Sequence, residues 1–136
     1  FLDGALDEAS LGRLVRHYAG QPLDGLILAG TTGESLVLDD DETERLTKAS
    51  AETLAGRMPL YLGLSGSDTR KLVKQLQRTA DWPIDGYLIT APYYTRPSQE
   101  GMFQHFTAAA EASGSETPKV LVVIASPGSQ RRKHRA

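Results

Sequence analysis

The segment Gly30-Thr31-Thr32-Gly33-Glu34-Ser35 puts two hydroxyls between two glycines, directly after the apolar run Leu26-Ile27-Leu28-Ala29. Glycine permits a tight backbone path and close approach of a ligand. Backbone N–H groups and the Thr31 and Thr32 hydroxyls then suit a small carboxylate or phosphate. A Walker A phosphate loop is excluded, because the Gly-Lys-Ser/Thr ending is missing. An alternative stays open, in which the hydroxyls only satisfy backbone groups of a polar turn. A second segment, Pro92-Tyr93-Tyr94-Thr95-Arg96-Pro97, brackets two phenols with prolines. Phenols relay protons or pack a subunit contact, and an aromatic pair exposed on a loop implies a use. Arg96 suits a carboxylate clamp, although solvent serves an arginine equally well.

Parallel α/β folds place such segments at the C-terminal ends of their strands. The order of elements agrees. Leu11, Leu14, Val15 and Tyr18 mark one face of a helix starting near Asp7, and Leu26–Ala29 forms a short strand. Asp39 with Glu42 resembles a capping box, and Gly56 supplies the stop of the helix between. Pro59–Leu62 is the next strand. Ser67 or Asp68 then caps a helix with Leu72, Val73 and Leu76 inward. Gly86–Ala91 is a third strand. Ser98 opens a fourth helix with Met102, Phe103, Phe106 and Ala110 inward, and Val120–Ile124 is the last strand. Asp24-Gly25 and Asp85-Gly86 each lead a strand, 61 residues apart, the span of two βα units.

Apolar strands alternating with amphipathic helices predict a parallel sheet covered by helices. An open doubly wound sheet and a closed eight-stranded barrel both fit. Periodicity alone favours the open sheet, since a barrel needs roughly 250 residues and this chain has 136.

Composition narrows the function. The chain is 40% hydrophobic and 24% charged, ordinary for one globular domain. There is no cysteine, so disulfides and thiolate metal sites are excluded. No apolar run approaches the roughly 20 residues of a membrane span, and Phe1-Leu2-Asp3-Gly4 reads as no targeting segment. Of the 15 Lys and Arg, four stand at Arg131, Arg132, Lys133 and Arg135, leaving 11 against 17 acidic residues elsewhere. An acidic body disfavours nucleic acid. We expect no nucleic-acid or membrane partner, a cytoplasmic location, and a disordered basic tail over 125–136 after a domain of 1–124.

The two segments together, with Asp85-Gly86, the run Arg96-Pro97-Ser98-Gln99-Glu100-Gly101 and Gln104-His105-Phe106, resemble the dihydrodipicolinate synthase/N-acetylneuraminate lyase family of class I aldolases. The resemblance implies a (β/α)8 TIM barrel, present here as about four parallel strands with their helices and lacking the C-terminal half. It implies condensation of pyruvate, held as a Schiff base on a lysine, with an aldehyde; the branch matched best uses aspartate semialdehyde, in lysine biosynthesis. By resemblance Thr31 is catalytic, as part of a proton relay, and Thr32 and Gly33 bind the pyruvate carboxylate. Tyr94 reaches into a neighbouring subunit's relay, which implies a homo-oligomer. No cofactor and no metal are expected.

The match is expected to run through the fourth helix and then break. The family's central relay tyrosine follows its fifth strand, and here no tyrosine occurs after Tyr94. Its Schiff-base lysine belongs to a sixth strand. Lys48, Lys71 and Lys74 fall on amphipathic helices, Lys119 at a strand start and Lys133 in the tail, none in the apolar setting a nucleophilic lysine needs. The expectation is therefore a truncated lyase, inactive alone and prone to self-association through its uncovered edges. The rivals are a sugar-acid aldolase or dehydratase of the same family, and a non-catalytic half-barrel interaction module.

Overall fold

Asp7 caps the first helix, α1 (Glu8–Ala19), where its carboxylate accepts from the Ser10 N–H at 2.9 Å. The same device opens each later helix in this computed structural model, which describes residues 1–114 and the backbone of Val120–Ile124. At α2 (Asp40–Leu54) the capping box forms in full. Asp39 accepts from the Glu42 N–H at 2.7 Å, and Glu42 accepts from the Asp39 N–H at 3.1 Å. Asp68, rather than Ser67, caps α3 (Thr69–Arg78), and Ser98 caps α4 (Gln99–Ala112). Each side-chain oxygen satisfies an N–H that the first helical turn would leave unpaired. The left-handed stop of α2 begins one residue earlier than expected, at Ala55 (φ 48°), and continues at Gly56 (φ 72°).

The strands are β1 (Leu26–Leu28), β2 (Leu60–Leu64), β3 (Gly86–Thr90) and β4 (Val120–Ile124), all parallel, in the order β1-β2-β3-β4. A doubly wound sheet reverses its order at a switch point, whereas a barrel adds each strand beside its predecessor. The sequential order makes this a partial (β/α)8 barrel. Among the described residues, nothing pairs with the outer side of β1 or of β4.

Register separates the two faces of these uniformly apolar strands. Leu62 stands between Leu28 and Tyr87 in register, and Leu64 beside Ile89. All five are buried in the core with Val15 of α1, Leu46 and Leu54 of α2, and Leu72 and Leu76 of α3. This is the helix-facing side, as the 2.8 Å hydrogen bond between the Tyr87 hydroxyl and Thr79 at the end of α3 shows. Strand alternation assigns Ile27, Tyr61, Gly63, Leu88 and Thr90 to the other side, the barrel interior.

The outer helices face inward differently from the expectation. On α1 Val15 is buried but Leu14 is 50% exposed. On α4 the buried residues are His105 and Ala109, whereas Phe103 is 67% exposed and Ala110 is exposed. A helix face centred on positions 105 and 109 carries 103 and 110 round to the flank. Apolar type had suggested a core place for Phe103, and the helix phase denies it one.

The Asp-Gly repeats are structural. The Asp85 carboxylate accepts from the Leu60 N–H at 2.8 Å while the Asp85 N–H donates to the Leu60 carbonyl at 2.7 Å. This two-way clamp fixes the starts of β2 and β3. Gly86 is the register partner of Tyr61, and a Cβ at Gly25 would stand 3.0 Å from the same ring. Both glycines therefore make room for Tyr61 near the N-terminal end of the barrel, the face associated with stability.

Candidate functional site

The opposite end of the sheet gathers the segments that follow β1, β2 and β3. Gly63 of β2 lets the strands come together there. A Cβ at position 63 would lie 2.3 Å from the Ala29 carbonyl oxygen, a distance no side chain tolerates. Ala29 itself is buried and takes a left-handed conformation (φ 49°), which turns the chain sharply into Gly30. The turn is closed by the Glu34 N–H donating to the Thr31 carbonyl at 3.2 Å, with Glu34 at φ 55°. Gly33 folds back on the strand end, where a Cβ would meet the Ala29 backbone at 3.3 Å.

Thr31, Thr32 and Gly33 are exposed on this turn. Among the described residues neither threonine hydroxyl has an intramolecular partner, so the hydroxyls are not consumed in stabilising the turn. Two donors and two acceptors thus stand free at the end of a barrel strand, the place from which this fold presents ligand-binding groups.

A cleft of about 70 Å³ lies behind the turn, with Ser35, Leu38, Thr43, Ser65, Gln75 and Arg78 among its walls. Arg78 is already engaged. It pairs with Asp40, with Asp41 at 3.8 Å and with Glu44 at 3.5 Å, and lies 6.0 Å from the Trp82 ring. Its neutralised guanidinium gives the cleft little pull on an anion.

The loop after β3 leaves the core at Ala91 and Pro92, both buried, and then stands out from it. Tyr93 is held by its carbonyl, which accepts from the Ser67 hydroxyl at 2.6 Å and the Thr95 N–H at 2.9 Å. Tyr94 is 100% exposed at φ 70°, and Arg96 follows at φ 46°. A fully exposed ring touches nothing in its own chain. The structure therefore brings the threonine turn and the tyrosine loop to the same end of the sheet, two strands apart, without joining them. Strand spacing makes that separation about 10 Å at the strand ends.

The lysines stand elsewhere. Lys48 on α2 pairs with Glu44 at 2.6 Å, and Lys71 and Lys74 are exposed on α3. None is on a described strand. Lys119, Lys133 and the basic tail fall outside the described residues.

The contacts of two polar residues escape sequence reasoning. Ser67 anchors the tyrosine loop, a role that depends on the adjacency of β2 and β3 and has no local signal. His105, buried on α4, meets the Thr69 hydroxyl through Nδ1 at 2.8 Å, while its Nε2 lacks a hydrogen bond of good geometry. Burial holds its pKa below the ordinary 6.5, against a smaller opposing effect of the Thr90 backbone. It sits between helices, away from the threonine turn.

Comparison with known proteins follows the same lines. Residues 2–126 match the model of the dihydrodipicolinate synthetase family. The chain belongs to that family. The match takes in β4 and so runs past α4, where the motifs alone had suggested a break. A 4-hydroxy-tetrahydrodipicolinate synthase of Synechococcus sp. is 40% identical over 122 residues, 90% of this chain and 40% of that protein. One from Sphingopyxis alaskensis is 42% identical over 113 residues, 83% of this chain and 39% of its own. The solved structure of dihydrodipicolinate synthase from Thermotoga maritima aligns with a TM-score of 0.86 at 35% identity, covering 94% of this chain and 42% of that one. The chain thus spans about 40% of the length of its dihydrodipicolinate synthetase family relatives.

Proposed function

We propose that this chain supplies one part of the mouth of a pyruvate-dependent Schiff-base lyase, of the kind that condenses pyruvate with aspartate semialdehyde in lysine biosynthesis. The observation that carries the reading is the pair of unengaged threonine hydroxyls on a turn that ends a barrel strand, in a chain of this family. Thr32 and Gly33 hold the pyruvate carboxylate, and Thr31 passes a proton at the reacting carbon. Tyr94 extends that relay into a neighbouring copy, which its full exposure favours. Hydroxyls arranged round a charged intermediate move protons while excluding bulk water. The imine requires a lysine in an apolar pocket, and the described strands carry none, so the chain does not form it alone. A cytoplasmic location belongs to the same reading. The named relatives, all synthases, favour this chemistry over sugar-acid cleavage or dehydration.

The test pairs this chain with a separate polypeptide made of the C-terminal remainder of the Sphingopyxis alaskensis relative. Pyruvate and borohydride are added and intact masses recorded. The expected result is a reduced pyruvate adduct on the remainder, formed only when this chain is present and diminished by Thr32→Val. An adduct on this chain by itself, or one on the remainder that is indifferent to this chain, would overturn the reading.

A further inference from the structure

We infer that His105 is a positioning residue for the tyrosine loop, holding α4 to the start of α3 so that Ser67 keeps the loop in place. The placement rests on the fold, and its use in a proton relay rests on the lyase reading.

The loop cannot hold its own shape. Tyr94 at φ 70° and Arg96 at φ 46° put two left-handed residues with side chains within three positions. Such backbone persists only where the surroundings over-determine it. The Tyr94 ring is 100% exposed and Tyr93 is 42% exposed, so side-chain packing supplies little of that restraint. Among the described residues, the restraint falls to the two ends of the loop and to the tie from Ser67 to the Tyr93 carbonyl.

His105 reaches the supports of all three. The loop leaves β3 after Thr90, and the imidazole faces the Thr90 backbone. The loop enters α4 at Ser98, which caps the helix by accepting from the Gly101 N–H at 3.0 Å. His105 lies seven residues beyond Ser98, two turns along the same face and about 10 Å away. Its Nδ1 meets the hydroxyl of Thr69, the first residue of α3, at 2.8 Å. Thr69 and Ser67 flank the cap residue Asp68, whose carboxylate accepts from the Arg70 N–H at 2.9 Å. One short braced segment thus grips the loop at position 67 and His105 at position 69. A tilt of α4 that broke the second grip would shift Ser98, and with it the loop's end, against Ser67.

Packing alone does not ask for an imidazole here. At 2% exposure the ring loses solvation that a leucine would not lose. A leucine would also leave the Thr69 hydroxyl without this partner. The edge-on contact with Phe106, 5.3 Å between ring centres at 77°, restrains the ring plane that aims Nδ1 at Thr69.

Solvent-exchange NMR on the purified chain tests the role through the Thr95 N–H, which donates to the Tyr93 carbonyl at 2.9 Å. His105→Leu and Thr69→Val are each expected to speed its exchange by about two- to tenfold, the change that one lost hydrogen bond gives. The Thr43 N–H, bonded to the Asp39 carbonyl at 3.0 Å on α2, should keep its rate. His105→Asn retains a polar atom at the Nδ1 position and should restore slow exchange of Thr95. In a Ser67→Ala background His105→Leu should add nothing, since the tie through which it acts is already gone. The inference is overturned by an unchanged Thr95 rate in His105→Leu and Thr69→Val, or by an equal acceleration at Thr43. It is overturned equally by His105→Asn exchanging as fast as His105→Leu, or by effects of His105→Leu and Ser67→Ala that add. None of these readouts involves pyruvate or a second copy, so the positioning role and the lyase chemistry fail or stand separately.

Discussion

The Ser67 hydroxyl donates to the Tyr93 carbonyl at 2.6 Å and so ties the end of β2 to the loop after β3. The tie precedes a residue in costly geometry, since Tyr94 at φ 70° carries an L side chain in the left-handed region. Ser67→Ala is expected to lower stability by no more than about 1 kcal/mol, because the bond is exposed. It should also speed exchange of the Thr95 N–H, which shares the same carbonyl. Tyr94→Gly should be neutral or stabilise by up to about 1 kcal/mol, relieving strain while removing a ring that buries nothing. Urea unfolding and amide exchange check both.

Gly63→Ala should be among the most damaging small substitutions. The new methyl meets the Ala29 carbonyl at 2.3 Å, and Gly63 is fixed by its pairing with Leu88 of β3. A loss of about 1–3 kcal/mol is expected, the usual cost of overpacking. Equilibrium unfolding reads it, and a neutral result would mean that the threonine turn lies farther from β2.

Asp85→Ala removes the acceptor for the Leu60 N–H, on a residue only 3% exposed. The stranded donor should cost about 1–3 kcal/mol. Asp85→Asn keeps an acceptor and should recover most of it. Thermal unfolding of the two variants side by side separates lost bonding from lost charge.

His105 predicts a pH effect. Its folded-state pKa lies below the unfolded value of 6.5 because burial disfavours the cation. Above that value both states are neutral and nothing is lost. As pH falls below it, the unfolded chain takes up a proton that the folded chain refuses, so stability declines until the folded-state pKa is passed. Urea midpoints should therefore fall as pH drops below about 6.5, and His105→Gln should flatten the slope. A slope unchanged in that variant would remove His105 as its source.

Local signals were legible and tertiary ones were not. The Asp39–Glu42 box and the Ser98 cap appear as anticipated because a cap involves residues only two or three apart. The threonine turn was recognisable as a ligand-facing segment from its glycines, yet its free hydroxyls and the need for Gly63 beneath it depend on β2. Continuous apolar strands conceal which face is which. Tyr61 and Tyr87 look alike in sequence, but register sends Tyr87 to Thr79 and Tyr61 to the interior between two glycines. Phe103 misleads by its composition, since an apolar residue needs a partner helix as well as a helix to stand on. The Thr69–His105 pair, 36 residues apart, has no signature short of the fold.

The sequential strand order bears on how the polypeptide reaches its fold. Among the described strands each pairs only with its neighbours in sequence, and helix packing is heaviest between consecutive helices, α1 with α2 and α3 with α4. A chain leaving the ribosome amino end first can thus settle one unit onto the last without waiting for distant segments. Pairing confined to adjacent βα units keeps each loop closure shorter than pairing across the whole chain would, and so lowers its entropic toll. Assembly by successive docking needs no strand to be threaded between two already in place.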